Sequence, residues 1–130
     1  MKITHLQSST QIIHLGEIKV LTDPWLTDGE YYGSWYHYPP FESKNFEKLE
    51  YDYIYVSHIH PDHLSERTFK ALPFKKPVII HNYDSKFVKR KLEMLGFEVI
   101  ECDNAVPFKF DNGGSITIYA ADNCDLSPKN

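Results

Sequence analysis

Short alternating runs of apolar and polar residues fill the early part of the chain, and helix-spaced apolar residues enter only in its second half. Residues 3–6, 10–15 and 18–22 read as strands, the last two joined through Gly16-Glu17 as a hairpin. Asp23-Pro24 ends the third run, because proline has no N–H for a ladder and restricts the residue before it. From Trp25 to about Ser43 the pattern is irregular, broken by Gly29, Gly33, Pro39 and Pro40. A loop of that length inside a compact domain is usually functional or disordered. Residues 51–57 then form the clearest strand, apolar enough for a sheet buried on both faces. Ser65 caps a short helix over 66–71, with an acidic residue in its first turn. Residues 77–81 are a further strand. Ser85 opens a helix that places Val88, Leu92 and Leu95 on one face, and Gly96 stops it. A strand over 97–101 follows, and 106–110 and 115–120 flank Asp111-Asn112-Gly113-Gly114 as a second hairpin. This order predicts an α/β domain with a mixed sheet and helices on one face, a single unit over residues 1–130 with no internal linker.

Composition narrows the class. The 130 residues are 42% hydrophobic and 25% charged, which suits one globular domain with a real core. A net charge of −4 and a pI near 5.9 argue against a nucleic-acid partner. The basic run Lys86, Lys89, Arg90 and Lys91 is explained by a solvated helix face. No apolar run approaches the ~20 residues that span a membrane. Met1 to His5 lacks a basic-then-apolar leader profile, so a cytoplasmic location is expected. Cys102 and Cys124 form neither a disulfide framework nor a structural zinc site. They read as two reduced thiols, with a single bridge between them left open.

The candidate chemistry sits directly after the clearest strand, in His58-Ile59-His60-Pro61-Asp62-His63. Residues two apart in an extended segment project to the same side, so His58 and His60 can chelate one ion. Pro61 turns the chain, and Asp62 and His63 then point at a neighbouring position where a second ion can sit. Neutral imidazole and carboxylate suit zinc, and also iron or manganese. The plain alternative is a polar loop satisfied by backbone and water, a poor account of four donors within six residues.

Val56-Ser57-His58-Ile59-His60-Pro61-Asp62-His63-Leu64 resembles the signature motif of metallo-β-lactamase fold hydrolases. With Ile3-Thr4-His5-Leu6 and Leu21-Thr22-Asp23-Pro24-Trp25-Leu26 upstream, the pattern is similar to a subgroup of that family. It holds ascorbate-phosphate lactonase, N-acyl-phosphatidylethanolamine phospholipase D and the catalytic domain of CMP-N-acetylneuraminate hydroxylase. The resemblance implies His58 and His60 on a first metal, Asp62 and His63 on a second, and Asp62 doubling as the catalytic proton acceptor. It implies two zinc ions in a complete site. Asp23 would orient a ligand histidine from behind, although a simple turn-starting Asp-Pro explains it about as well.

Two departures stand out. Many relatives carry Gly-His after the first strand, where this chain has Gln7-Ser8; His5 and His14 read as ordinary strand histidines. The family fold is an αββα sandwich of two similar halves, and the remaining ligands come from the second. This chain resembles the N-terminal half, and His37, His81 and Asp122 do not match the missing contexts. A half-fold would expose the sheet face that packs on its partner, so a homodimer covering that face is expected.

Seven aromatics fall between Trp25 and Phe41. Trp25, Trp35, Tyr36 and His37 are candidates for a wall against a small-molecule substrate, with a satellite core under the loop as the equal alternative. The expected function is metal-dependent hydrolysis of a phosphoester, lactone or amide-type substrate. A non-catalytic metal-binding or interaction module is the alternative, and a CMP-N-acetylneuraminate hydroxylase-like protein a further one. The last is weakened because the Rieske centre of that hydroxylase needs Cys-His pairs, and neither Cys102 nor Cys124 sits in one.

Overall fold

A computed structural model describes residues 1–120. Six strands form one sheet in chain order: β1 (Lys2–Gln7), β2 (Thr10–Leu15), β3 (Ile18–Thr22), β4 (Tyr53–Tyr55), β5 (Val78–His81) and β6 (Val99–Cys102). The first three pair antiparallel through tight turns, and β3 to β6 pair parallel. A parallel neighbour needs a crossover. Two of these are helical: α2 (Glu66–Ala71) between β4 and β5, and α3 (Phe87–Met94) between β5 and β6. The long β3–β4 connection holds a single tight turn, α1 (Glu30–Gly33), and a 3-10 helix, Ser43–Lys48.

Side chains two apart along each strand face the same way, and this sorts the core into two layers. Leu21, Ile54, Val56, Val78 and Ile80 face the helices, where they meet Leu64, Phe69, Val88, Leu92 and Phe97. Phe69 and Phe97 meet edge-on with ring centroids 5.1 Å apart. Val20, Ile79 and Cys102 face the other way, toward a short hairpin of β7 (Phe108–Lys109) and β8 (Ser115–Ile116). Both helices therefore lie on one face, as the pattern predicts.

The bare second face expected for a half-fold is not found over the middle of the sheet. Phe110 and Ile118 are buried there, and Tyr53 packs against the rings of Phe108 and Phe110. Among the described residues, what stays open is a groove of about 450 Å³ beside β2 and β3, lined by Gln11, Ile13, Thr22, Tyr55, Thr117 and Tyr119.

Local signals explain the element ends. Ser65 accepts the Thr68 N–H at 3.2 Å and so satisfies a donor that α2 leaves unpaired. After α3, Gly96 is left-handed at φ +90°, and the Phe97 N–H reaches back to the Leu92 carbonyl at 3.1 Å, the bond that closes a helix C-terminus. The helix begins at Phe87 rather than at Ser85, whose hydroxyl accepts the Phe87 N–H at 3.4 Å. β4 is shorter than the 51–57 run; Tyr51 lies before it, with its hydroxyl donating to the Phe74 carbonyl at 2.6 Å, and beyond it the Ser57 N–H goes to the Asp23 carboxylate rather than to a neighbouring strand. Cys102 is a buried thiol, raised by burial and then by Asp103, whereas Cys124 and Asp122 lie outside the described residues.

Candidate metal centre

The carboxyl ends of β3 and β4 lie side by side, and each sends its next residue toward the same spot. Asp23 leaves β3 left-handed at φ +40°, a conformation short polar side chains tolerate, and its N–H donates to the Tyr55 carbonyl at 2.8 Å. Its carboxylate is buried and fully engaged. Oδ1 accepts the Ser57 N–H at 2.7 Å, and Oδ2 accepts both the Ser57 hydroxyl at 2.8 Å and His63 Nδ1 at 2.9 Å.

These bonds fix two imidazole tautomers. A carboxylate only accepts, so His63 carries its proton on Nδ1. The Ser57 hydroxyl spends its proton on Asp23, so its 2.8 Å contact with His58 Nδ1 is donated by the imidazole. In the neutral form of each ring, Nε2 is therefore the nitrogen with the free lone pair. They stack with centroids 4.0 Å apart, and His60 lies 4.9 Å from His58. The shifts run in opposite directions. Burial, and then the nearby His63, pull His58 below the ordinary histidine value. The Asp23 hydrogen bond, working against burial, lifts His63 above it.

Asp62 closes the loop from the other side. Its Oδ2 lies 3.5 Å from His63 Nε2, while the Tyr31 hydroxyl donates to Oδ1 at 2.9 Å. Two lone-pair atoms facing one another at that distance repel unless a proton or a cation lies between them. Two ligands on a tetrahedral ion with bonds of about 2.1 Å stand about 3.4 Å apart, a spacing this pair matches, as a protonated imidazole beside a carboxylate also does. Among the described residues, however, no three His, Cys, Asp or Glu donors form a closed metal-binding group. The donors fit a divalent ion in kind and in pair spacing, and are short in number.

Two contributors escape sequence reasoning. The Ser9 hydroxyl sits 3.3 Å from His63 Nδ1, next to the Gln7-Ser8 departure. Tyr31 reaches Asp62 from 31 residues away; burial, and after it the Asp62 hydrogen bond, push its hydroxyl up to about 12, so it stays a donor. Neither has a local signature, and only the fold joins them to the loop.

The aromatic candidates divide. Trp25 and His37 are 5% and 8% exposed and stack on each other at 4.0 Å, so they fill the space beneath the loop. Trp35 and Tyr36 are 45% and 66% exposed. Trp35 also packs on Tyr31 at 4.3 Å, which carries this surface up to Asp62. His5 is tied to the Ser8 carbonyl and His14 to the Thr4 hydroxyl, both within the β1–β2 turn and ladder. His81, at the end of β5, meets Tyr83 edge-on. Lys86, just before α3, and Lys89 on it pair with Glu101, and Lys91 lies at ion-pair range of Glu66, so most of the basic run is neutralised locally. No helix among the described residues is long and apolar enough to cross a membrane.

A family model for the beta-lactamase superfamily domain matches residues 2–123. The cytidine monophosphate-N-acetylneuraminic acid hydroxylase of Danio rerio is 34% identical over 79 residues, which cover 59% of this chain and 13% of that protein. The inactive cytidine monophosphate-N-acetylneuraminic acid hydroxylase of Homo sapiens is 38% identical over 82 residues, 61% of this chain and 16% of that one. Among solved structures, an isothiocyanate hydrolase from Delia radicum gut bacteria superposes with a TM-score of 0.62 at 19% identity, covering 86% of this chain and 44% of the other. The chain thus spans a small fraction of the curated relatives and under half of that hydrolase. Matched over nearly its whole length by the family model, and folded like a hydrolase of the same architecture, this chain belongs to the beta-lactamase superfamily and has the metallo-β-lactamase fold.

Proposed function

We propose that this chain works in metal-dependent hydrolysis, with His58 and His60 holding one divalent ion and Asp62 and His63 a second. The remaining donors would come from outside residues 1–120. One observation carries this reading: the buried Asp23 carboxylate engages His63 Nδ1 directly and His58 Nδ1 through Ser57, so in the neutral rings Nε2 is the nitrogen left for a metal. That is the support ligand histidines receive in metal sites. Zinc suits the donors best, with iron or manganese also compatible.

When bound, a pair of divalent ions polarises a carbonyl or phosphoryl oxygen and makes hydroxide available at neutral pH. The chain's own residues hold and orient. Asp23 keeps the His63 ring from turning, and Ser57 does the same for His58. Asp62 would also accept a proton during turnover, through the carboxylate oxygen that does not ligate. Trp35 and Tyr36 offer flat surface to a small-molecule substrate with a phosphoester, lactone or amide-type bond.

A second reading, a non-catalytic metal-binding module, is favoured by one observation: two donors per ion fall short of the three a catalytic zinc takes from protein. Metal analysis of the full chain with a phosphodiester and lactone panel separates the two. Stoichiometric metal with turnover that His63→Ala abolishes supports the hydrolase. Bound metal with no turnover of any substrate supports the module, and absence of bound metal overturns both.

A further inference from the structure

The turn that carries Tyr31 is built at some expense. Tyr31 and Tyr32 are both left-handed, at φ +52° and +60°, a region bulky L-residues rarely enter. Gly29 before them is left-handed too, at φ +96°, a conformation L side chains rarely adopt. Such geometry persists only where the surroundings over-determine it.

Here they do. The Gly29 N–H donates to the Trp35 carbonyl at 2.8 Å, and the Trp35 N–H returns to Glu30 at 3.0 Å, closing the turn. The Glu30 carboxylate accepts the Ser65 hydroxyl at 2.6 Å, and Arg67 donates to the Asp28 carbonyl at 3.0 Å, so the turn is tied to the start of α2 at two points. Trp35 then packs on the Tyr31 ring at 4.3 Å. Tyr32, at the same bend, is fully exposed and gains nothing. The product of the arrangement is the position of one hydroxyl, 2.9 Å from Asp62 Oδ1.

Resting on the hydrolase reading above, we propose that Tyr31 is a positioning residue that makes Asp62 a one-oxygen ligand. By holding Oδ1 it turns Oδ2 toward His63 Nε2 and prevents the carboxylate from clasping an ion with both oxygens. An ion held by Asp62 and His63 would then take a single donor atom from the carboxylate.

Cobalt(II) titration of the full chain, followed by visible absorption, tests this without any substrate. Tyr31→Phe keeps the ring on Trp35 and removes only the hydroxyl. The expected result is cobalt binding weakened about 10- to 100-fold, the range for loss of a ligand's supporting partner. The bands should also weaken as the freed carboxylate chelates and coordination number rises. Adding Tyr31→Phe to Asp62→Asn should cost little more than Asp62→Asn alone. Glu30→Gln, which loosens the anchor at Ser65, should reproduce part of the loss. Unchanged affinity and spectrum in Tyr31→Phe would overturn the proposal, as would a loss fully additive with Asp62→Asn. A wild-type chain that takes up no cobalt would instead remove the metal reading itself, and this inference with it.

Discussion

Asp23 accepts the Nδ1–H of His63 at 2.9 Å across 40 residues of sequence, and the same carboxylate oxygen takes the hydroxyl of Ser57. One buried side chain thus braces the end of β4 and the last residue of the histidine loop together. Replacing it should separate support from fold. Asp23→Ala leaves the Ser57 N–H without its acceptor, an expected loss of about 1–3 kcal/mol, and weakens zinc binding about 10- to 100-fold. Asp23→Asn keeps an oxygen for that N–H, so most of the stability should return while the zinc affinity stays low. Thermal unfolding beside a zinc titration reads both; equal zinc affinity in all three proteins would contradict the role.

Ser65 has two tasks, capping α2 through the Thr68 N–H and donating to Glu30. Ser65→Ala should cost about 1 kcal/mol from the cap and free the turn that carries Tyr31. Urea unfolding measures the first, and enhanced exchange of the amides from Gly29 to Trp35 the second. A variant as stable as the wild type, with unchanged exchange, would show that neither bond matters.

Glu101 gives a pH dependence that does not involve the histidine loop. Burial alone would raise its carboxyl, but the ion pairs with Lys86 at 2.7 Å and Lys89 at 3.5 Å outweigh it and hold the group below its ordinary value of 4.5. A depressed carboxylate contributes stability that is present above its unfolded pKa and lost as pH falls through the folded one. Lys86→Met should therefore be less stable than the wild type at pH 7, by no more than about 1 kcal/mol for so accessible a pair. The gap should close as acid takes the pH below the ordinary carboxylate range. Denaturant midpoints of both proteins across that range check it, and a gap that widens in acid would reverse the sign.

Much of this fold is legible in the amino-acid sequence. The β2–β3 hairpin, the Ser65 cap and the Gly96 stop are local events, each set by residues within one turn, and all fall where the pattern puts them. The two core layers follow from strand alternation once Ile54 and Val56 are assigned to one side and Tyr53 and Tyr55 to the other. The four donors in the 58–63 loop are legible because they are contiguous. Tyr31 and Ser9 are not, because their relation to the loop is made by the β3–β4 connection and the β1–β2 turn, which no short-range rule fixes. A left-handed pair of tyrosines runs against the steric preference of the residues that occupy it, so propensity points away from the turn that forms. The burial of Trp25 and His37 depends likewise on how the loop folds back, which composition alone leaves open.

A second copy of the chain is proposed to cover the open groove beside β2 and β3, now a smaller surface than a bare half-fold would present. Ile13 and Tyr55 in its lining are half-buried, and Ile3 on the neighbouring edge strand is 51% exposed. Light scattering of the full chain should then give a dimer mass, and Ile13→Lys should return a monomer. A stable monomer for the wild type at high concentration would contradict it.

The proposed function stands on residues 58 to 63 as metal donors held in readiness by Asp23. Equilibrium dialysis of the full chain against zinc tests this most directly, with His63→Ala and His58→Ala run alongside. The wild type should bind zinc saturably, and each variant should bind it far more weakly while its circular dichroism stays that of the folded chain. Zinc uptake that is equal in all three, or absent from the folded wild type, would contradict it.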